Sequence, residues 1–154
     1  PVGAIGTVTV TGVINPDVAE NKAYPTLVAL TSSVSAVSTT TTSDITATYA
    51  VTVASYYGAN YYYIDGSRAA TLNLSEGSIY RFAQSDSSNN NHPLRFSTTS
   101  DGTHGGGSSY TTGVTINGTP GSAGAYTQIE VASGAPTLYY YCTNHSGMGG
   151  QINT

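Results

Sequence analysis

The sequence predicts an all-β domain, a Greek-key β-sandwich preceded by an extended N-terminal β arm. Three observations point there. Val, Thr and Ile outweigh the helix formers, and β-branched side chains suit a pleated, half-buried surface. Short alternating segments recur between Gly, Pro, Asn and Asp turns, seven or more of them in one chain. No segment combines a helical period with capping residues.

At 154 residues the chain has the length of one domain with a real core. Only 8% of residues are charged, against 38% apolar, and thirteen Tyr separate this composition from that of a disordered chain. The four basic residues, Lys22, Arg68, Arg81 and Arg95, are scattered and the net charge is −4, so no footprint for nucleic acid exists. No apolar run approaches a membrane span. A single cysteine forms no internal disulfide and leaves the redox compartment open.

Taken in order, "GTVTVTGVI" (Gly6 to Ile14) alternates like a strand, and "NPDVAENKAYP" is a polar connection. From Thr31 to Ser43, ten of thirteen residues are Ser or Thr, too few large side chains for a core. A boundary falls near residue 45. The expectation is an assembly arm over 1–45 that pairs with a neighbouring subunit, and a sandwich over 46–154.

"ITATYAVTV" places Ile45, Ala47, Tyr49, Val51 and Val53 on one face. "NYYYIDGS" runs into an Asp65-Gly66 turn, and "ATLNLSEGSIYRFAQ" turns at Glu76-Gly77 before a strand through Ile79, Tyr80 and Phe82. "HPLRFST" sets His92, Leu94 and Phe96 on one face. After the glycine-rich "SDGTHGGGSS" come "YTTGVTI", "AYTQIEVA" and "TLYYYC", all strand-like. The tyrosines Tyr56, Tyr57, Tyr61, Tyr62 and Tyr63 divide between two roles: a contact surface, and the core into which alternation turns about half of them.

The reactive side chains are few and clustered. "YYYCTNHSGMGG" (Tyr139 to Gly150) holds the only cysteine, Cys142, the only methionine, Met148, and one of three histidines, His145. The glycines let the loop curl so that the three converge. Thiolate, imidazole and thioether together suit copper, and a blue-copper site needs two His and one Cys in a near-trigonal plane with a weak axial Met. His92 supplies the second imidazole if its strand lies beside the one ending at Cys142. The bland alternatives are a buried apolar Cys and a gap-filling Met. Nucleophilic catalysis by Cys142 with His145 lacks an acid or amide to orient the base, so the chain is not read as an enzyme. His104, in "DGTHGGG", reads as an exposed loop histidine.

On "NNNHPLRF" and "YYYCTNHSGMGG" the chain resembles the cupredoxin family over roughly residues 45 to 154. The resemblance implies His92, Cys142, His145 and Met148 as copper ligands, with Met148 axial. Many cupredoxins follow the first histidine with Asn, whose backbone and side chain brace the site and help fix the thiolate; here Pro93 follows and Asn91 precedes. "HPLRFSTTSDGTHGGG" is further similar to cupredoxin-like modules in structural proteins of marine tailed phages and marine bacterial surface proteins. That narrower resemblance implies a structural subunit of a virion surface or extracellular fibre, self-assembling through the N-terminal arm. A blue-copper electron-transfer protein is the alternative, and simple copper capture is a third option.

Overall fold

The computed structural model describes residues 44–154, which form two β-sheets packed face to face. The expected arm over 1–45 lies outside these residues except for its last two positions. Ten strands follow in chain order: β1 (Ile45–Tyr56), β2 (Ala59–Ile64), β3 (Ser67–Arg68), β4 (Leu72–Asn73), β5 (Ile79–Ala83), β6 (Leu94–Ser97), β7 (Val114–Asn117), β8 (Tyr126–Glu130), β9 (Leu138–Cys142) and β10 (Gly150–Asn153). One sheet has six strands in the order β3-β2-β1-β5-β8-β7, and the other has four in the order β4-β10-β9-β6. No α-helix occurs among the described residues; short 3-10 turns span Ser87–Asn89 and Gly102–Gly105.

Alternation decides which side chains face inward. Val51, Tyr62, Ile64, Tyr80, Phe82 and Ile129 come from the six-stranded sheet, and Leu94, Phe96, Leu138, Tyr140 and Ile152 from the four-stranded one. The Phe82 ring meets Phe96 edge-on, with centroids 5.3 Å apart, which locks the two sheets together near the middle of the core. The same rule sorts the tyrosines: Tyr62 is fully buried, Tyr61 and Tyr63 are half-buried, and Tyr57 at the β1–β2 turn is 92% exposed.

β6 pairs antiparallel with β9, Leu94 opposite Cys142, so the start of one strand and the end of the other share a pole. This is the juxtaposition that the sequence required of His92 and Cys142. β6 is an edge strand, and its free side is closed by groups from elsewhere. The Leu94 N–H donates to Gln84, the Leu94 carbonyl accepts from Thr127 Oγ1, and the Phe96 carbonyl accepts from the Tyr110 N–H.

Two features of the fold depart from the reading along the chain. β10 follows the ligand loop directly, although the glycines there read as loop alone; it pairs with both β9 and β4. The segment "SDGTHGGGSS" is not a plain connection either. It folds over the outer face of β9 and buries Tyr141, whose hydroxyl lies 2.6 Å from Ser109 Oγ. Gly102 makes this possible. It has a φ of +54°, and a Cβ there would sit 2.5 Å from the Tyr141 ring.

Candidate metal centre

Three of the four expected ligands converge. Cys142 Sγ lies 3.5 Å from His145 Nδ1 and 3.8 Å from His92 Nδ1, and the three donor atoms all fall within 4.8 Å of one another. The two imidazoles stand with centroids 4.5 Å apart. Cys142 is fully buried, His92 is buried and His145 is half-exposed. Met148 is 1% exposed, belongs to the same apolar cluster as Cys142, and lines a shallow surface hollow together with His145, Asn60 and His104.

These spacings suit a metal ion. Bonds of about 2.3 Å to sulfur and about 2.0 Å to nitrogen put the S···N distance at roughly 3.5 Å for a tetrahedral angle and roughly 3.7 Å for a trigonal one. The observed 3.5 and 3.8 Å closely match these values. Burial, and then the neighbouring His145, hold the pKa of His92 below its usual value, so its ring favours the neutral form that a metal ligand must have.

The chain holds each ligand by a local device. His92 sits between Asn91, in the left-handed region at φ 63°, and Pro93. Because Pro93 has no N–H, the backbone there is secured from the side. Gln84, 1% exposed at the end of β5, donates from Nε2 to the His92 carbonyl at 2.8 Å and accepts the Leu94 N–H at Oε1 at 3.1 Å. It therefore spans Pro93 much as a neighbouring strand would. Asn89 completes the buried network, accepting from Gln84 and donating to the Val51 carbonyl.

The ligand loop is anchored on three sides. Asn144 donates to both the carbonyl and the side-chain oxygen of Asn91 at 3.1 and 2.7 Å, and Thr143 N–H donates to the Pro93 carbonyl. Asn91 and Asn144 thus tie the segment before His92 to the loop that carries His145. From the glycine-rich segment, Asp101 accepts the Gly147 N–H at 2.9 Å. His104, exposed as expected, donates from Nε2 to the Cys142 carbonyl at 3.1 Å. A Cβ at Gly149 would run into the Tyr140 carbonyl, so glycine is what allows the loop to close onto β9.

Tyr62 of β2 reaches the centre from the opposite sheet. Its hydroxyl donates to the His92 carbonyl at 2.8 Å, and its N–H donates to the Met148 carbonyl at 3.3 Å. Burial, and then the Cys142 sulfur, raise its pKa well above the usual phenol value, so the hydroxyl stays protonated. Gln84 and Tyr62 escaped the sequence reading. No signal in the sequence marks either, because both are common polar residue types whose partners depend on how the two sheets pack.

No protein-family model matches the chain, and no curated protein matches it. What the structure itself defines is an all-β sandwich with a buried His-Cys-His cluster beside a methionine, an arrangement compatible with a cupredoxin-like fold.

Proposed function

We propose that this domain is a cupredoxin-like copper protein in which His92, Cys142 and His145 would hold the metal, with the Met148 thioether as a weaker fourth donor. The observation that carries this reading is the cluster of two imidazole nitrogens around one buried sulfur at 3.5 and 3.8 Å. Copper, when bound, supplies one-electron chemistry. The protein's own part is to keep the ligand geometry constant, which it does through Gln84, Asn91, Asn144 and Asp101. His145, half-exposed at the rim of the hollow, is the ligand nearest solvent and hence the route by which electrons would pass to a partner.

Cys142 is given no nucleophilic role in this reading, since its two imidazole neighbours serve as fellow ligands. The expected role as a virion or fibre subunit rests on the sequence resemblance and on an arm that lies almost wholly outside the described residues, so the conclusion is built on the centre and not on the assembly.

The test is metal analysis with an absorption spectrum after addition of copper(II). The expected result is one copper per chain with an intense sulfur-to-copper charge-transfer band, abolished in Cys142→Ala. A protein that stays colourless and takes up no copper under oxidising and reducing conditions refutes it.

A further inference from the structure

The tyrosines left outside the core gather at one corner of the six-stranded sheet. Tyr62 and Ile64 of β2 face inward, so Tyr61 and Tyr63 stand on the outer face. Tyr61 lies opposite Ala54 and Tyr63 opposite Arg68, which brings Arg68, and Tyr56 two residues beyond Ala54, to that same face. Tyr56 meets Tyr61 and Tyr57 edge-on, with centroids 6.4 and 4.4 Å away. The Arg68 guanidinium rests 3.7 Å from the Tyr56 centroid and 5.1 Å from that of Tyr61.

Two features set this corner apart from ordinary surface. Tyr57 and Gly58 make a two-residue turn between Tyr56 and Ala59, with φ values of 49° and 83°. Such a turn favours Asn, Asp or Gly at its first position, so a tyrosine there costs backbone energy. Its ring, 92% exposed, recovers little of that cost by burial. The second feature is Arg68. Arg81 and Arg95 donate to Gln128 and to the Leu94 carbonyl, whereas Arg68 is exposed and held by ring faces. Stacking orders the guanidinium and leaves its in-plane donors at the edge of the rings. The carboxylate of the adjoining turn, Asp65, accepts the Ala50 N–H at 2.7 Å.

We propose that this corner binds a carboxylated polysaccharide: the tyrosine rings take the apolar C–H face of a sugar, their hydroxyls meet sugar hydroxyls, and Arg68 takes the carboxylate as a bidentate pair. The chemistry of the surface selects this partner. A guanidinium fork already ordered by stacking calls for an oxyanion, and it avoids much of the entropy cost that weakens a free surface arginine. An exposed phenol offers an apolar face with a polar tip. An extended peptide fits less well, because it is recognised by main-chain pairing at a free strand edge, and both edges of β2 are already taken by β1 and β3. The site lies on the outer face of the sheet and is independent of the copper reading.

The experiment titrates the full chain by isothermal calorimetry with polygalacturonate, with its methyl ester, which keeps the sugar chain without the charge, and with polyglutamate. The expected result is binding of polygalacturonate that weakens about tenfold for the ester, about tenfold in Arg68→Gln and about fivefold in Tyr57→Ala. Polyglutamate should bind at least about tenfold more weakly, and Arg81→Gln, away from the corner, should bind like wild type. A wild-type chain that ignores polygalacturonate, or binds its ester equally well, overturns the proposal. Equal affinity for polyglutamate overturns it in favour of an acidic protein partner, and an equal loss in Arg81→Gln reduces the effect to general charge. Arg68 and Tyr57 variants that bind like wild type also overturn it. Melting temperatures show whether each variant folds, and the three polymers on the wild-type chain decide the outcome if one does not.

Discussion

Replacing Gln84 by Met tests whether one amide substitutes for a strand on both sides of Pro93. The two side chains have similar length and volume, so the substitution removes hydrogen bonds without opening a large cavity. Three bonds disappear: Nε2 to the His92 carbonyl, Nε2 to Asn89 Oδ1, and Leu94 N–H to Oε1. The His92 carbonyl retains the Tyr62 hydroxyl, so it costs little. The Leu94 N–H is left buried beneath a residue that is itself fully buried, at about 1–3 kcal/mol. Asn89 is also fully buried, and its orphaned oxygen adds roughly 1 kcal/mol. The expected loss is about 3 kcal/mol, which in a domain of this size lowers the melting temperature by roughly 10–20 °C. Urea unfolding of the metal-free protein measures the free energy, and thermal melting followed by circular dichroism measures the shift. A loss below about 0.5 kcal/mol would mean that the Leu94 amide finds another partner, and the account of how His92 is held would be wrong.

The loop over Tyr141 makes a second prediction. Gly102→Ala introduces a Cβ against the Tyr141 ring at a φ of +54°, so strain and overpacking together should cost roughly 2–5 kcal/mol in urea unfolding. Gly124→Ala, with a φ of +76° and open space around it, should cost only about 1–2 kcal/mol, and equal losses at both sites would refute the packing argument. Asp86 makes a third. Its carboxylate accepts the Ser88 N–H at 2.9 Å, and hydrogen bonds from Ser88 hold its pKa below the ordinary 3.8. The folded state thus favours the charged form, and the stability it contributes is present above pH 3.8 and lost as pH falls through the lower folded value. Asp86→Asn keeps an acceptor that does not titrate, so its melting temperature should fall less steeply than wild type between about pH 5 and pH 2. Parallel curves would refute it.

The centre was more legible in the sequence than its support, and the reason is chemical. Cysteine, methionine and histidine are scarce in this chain, so their spacing in "CTNHSGM" stood out, and the strand that begins two residues after His92 does lie beside the one that ends at Cys142. The supporting groups are common residue types. Tyr62 is one of thirteen tyrosines, and nothing in "NYYYID" marks the middle one as the residue whose hydroxyl meets the His92 carbonyl and whose main-chain N–H meets the Met148 carbonyl, because that depends on how two sheets pack. Gln84 lies eight residues before His92 and gains its meaning only when β5 and β6 face one another across the core. The His92 carbonyl, next to a proline that carries no N–H, is met by two buried polar side chains, Gln84 and Tyr62. Because both side chains meet the same carbonyl, Gln84→Met, which also strips the Leu94 N–H and Asn89 of their partner, should destabilise the protein more than Tyr62→Phe, which leaves that carbonyl with the Gln84 amide.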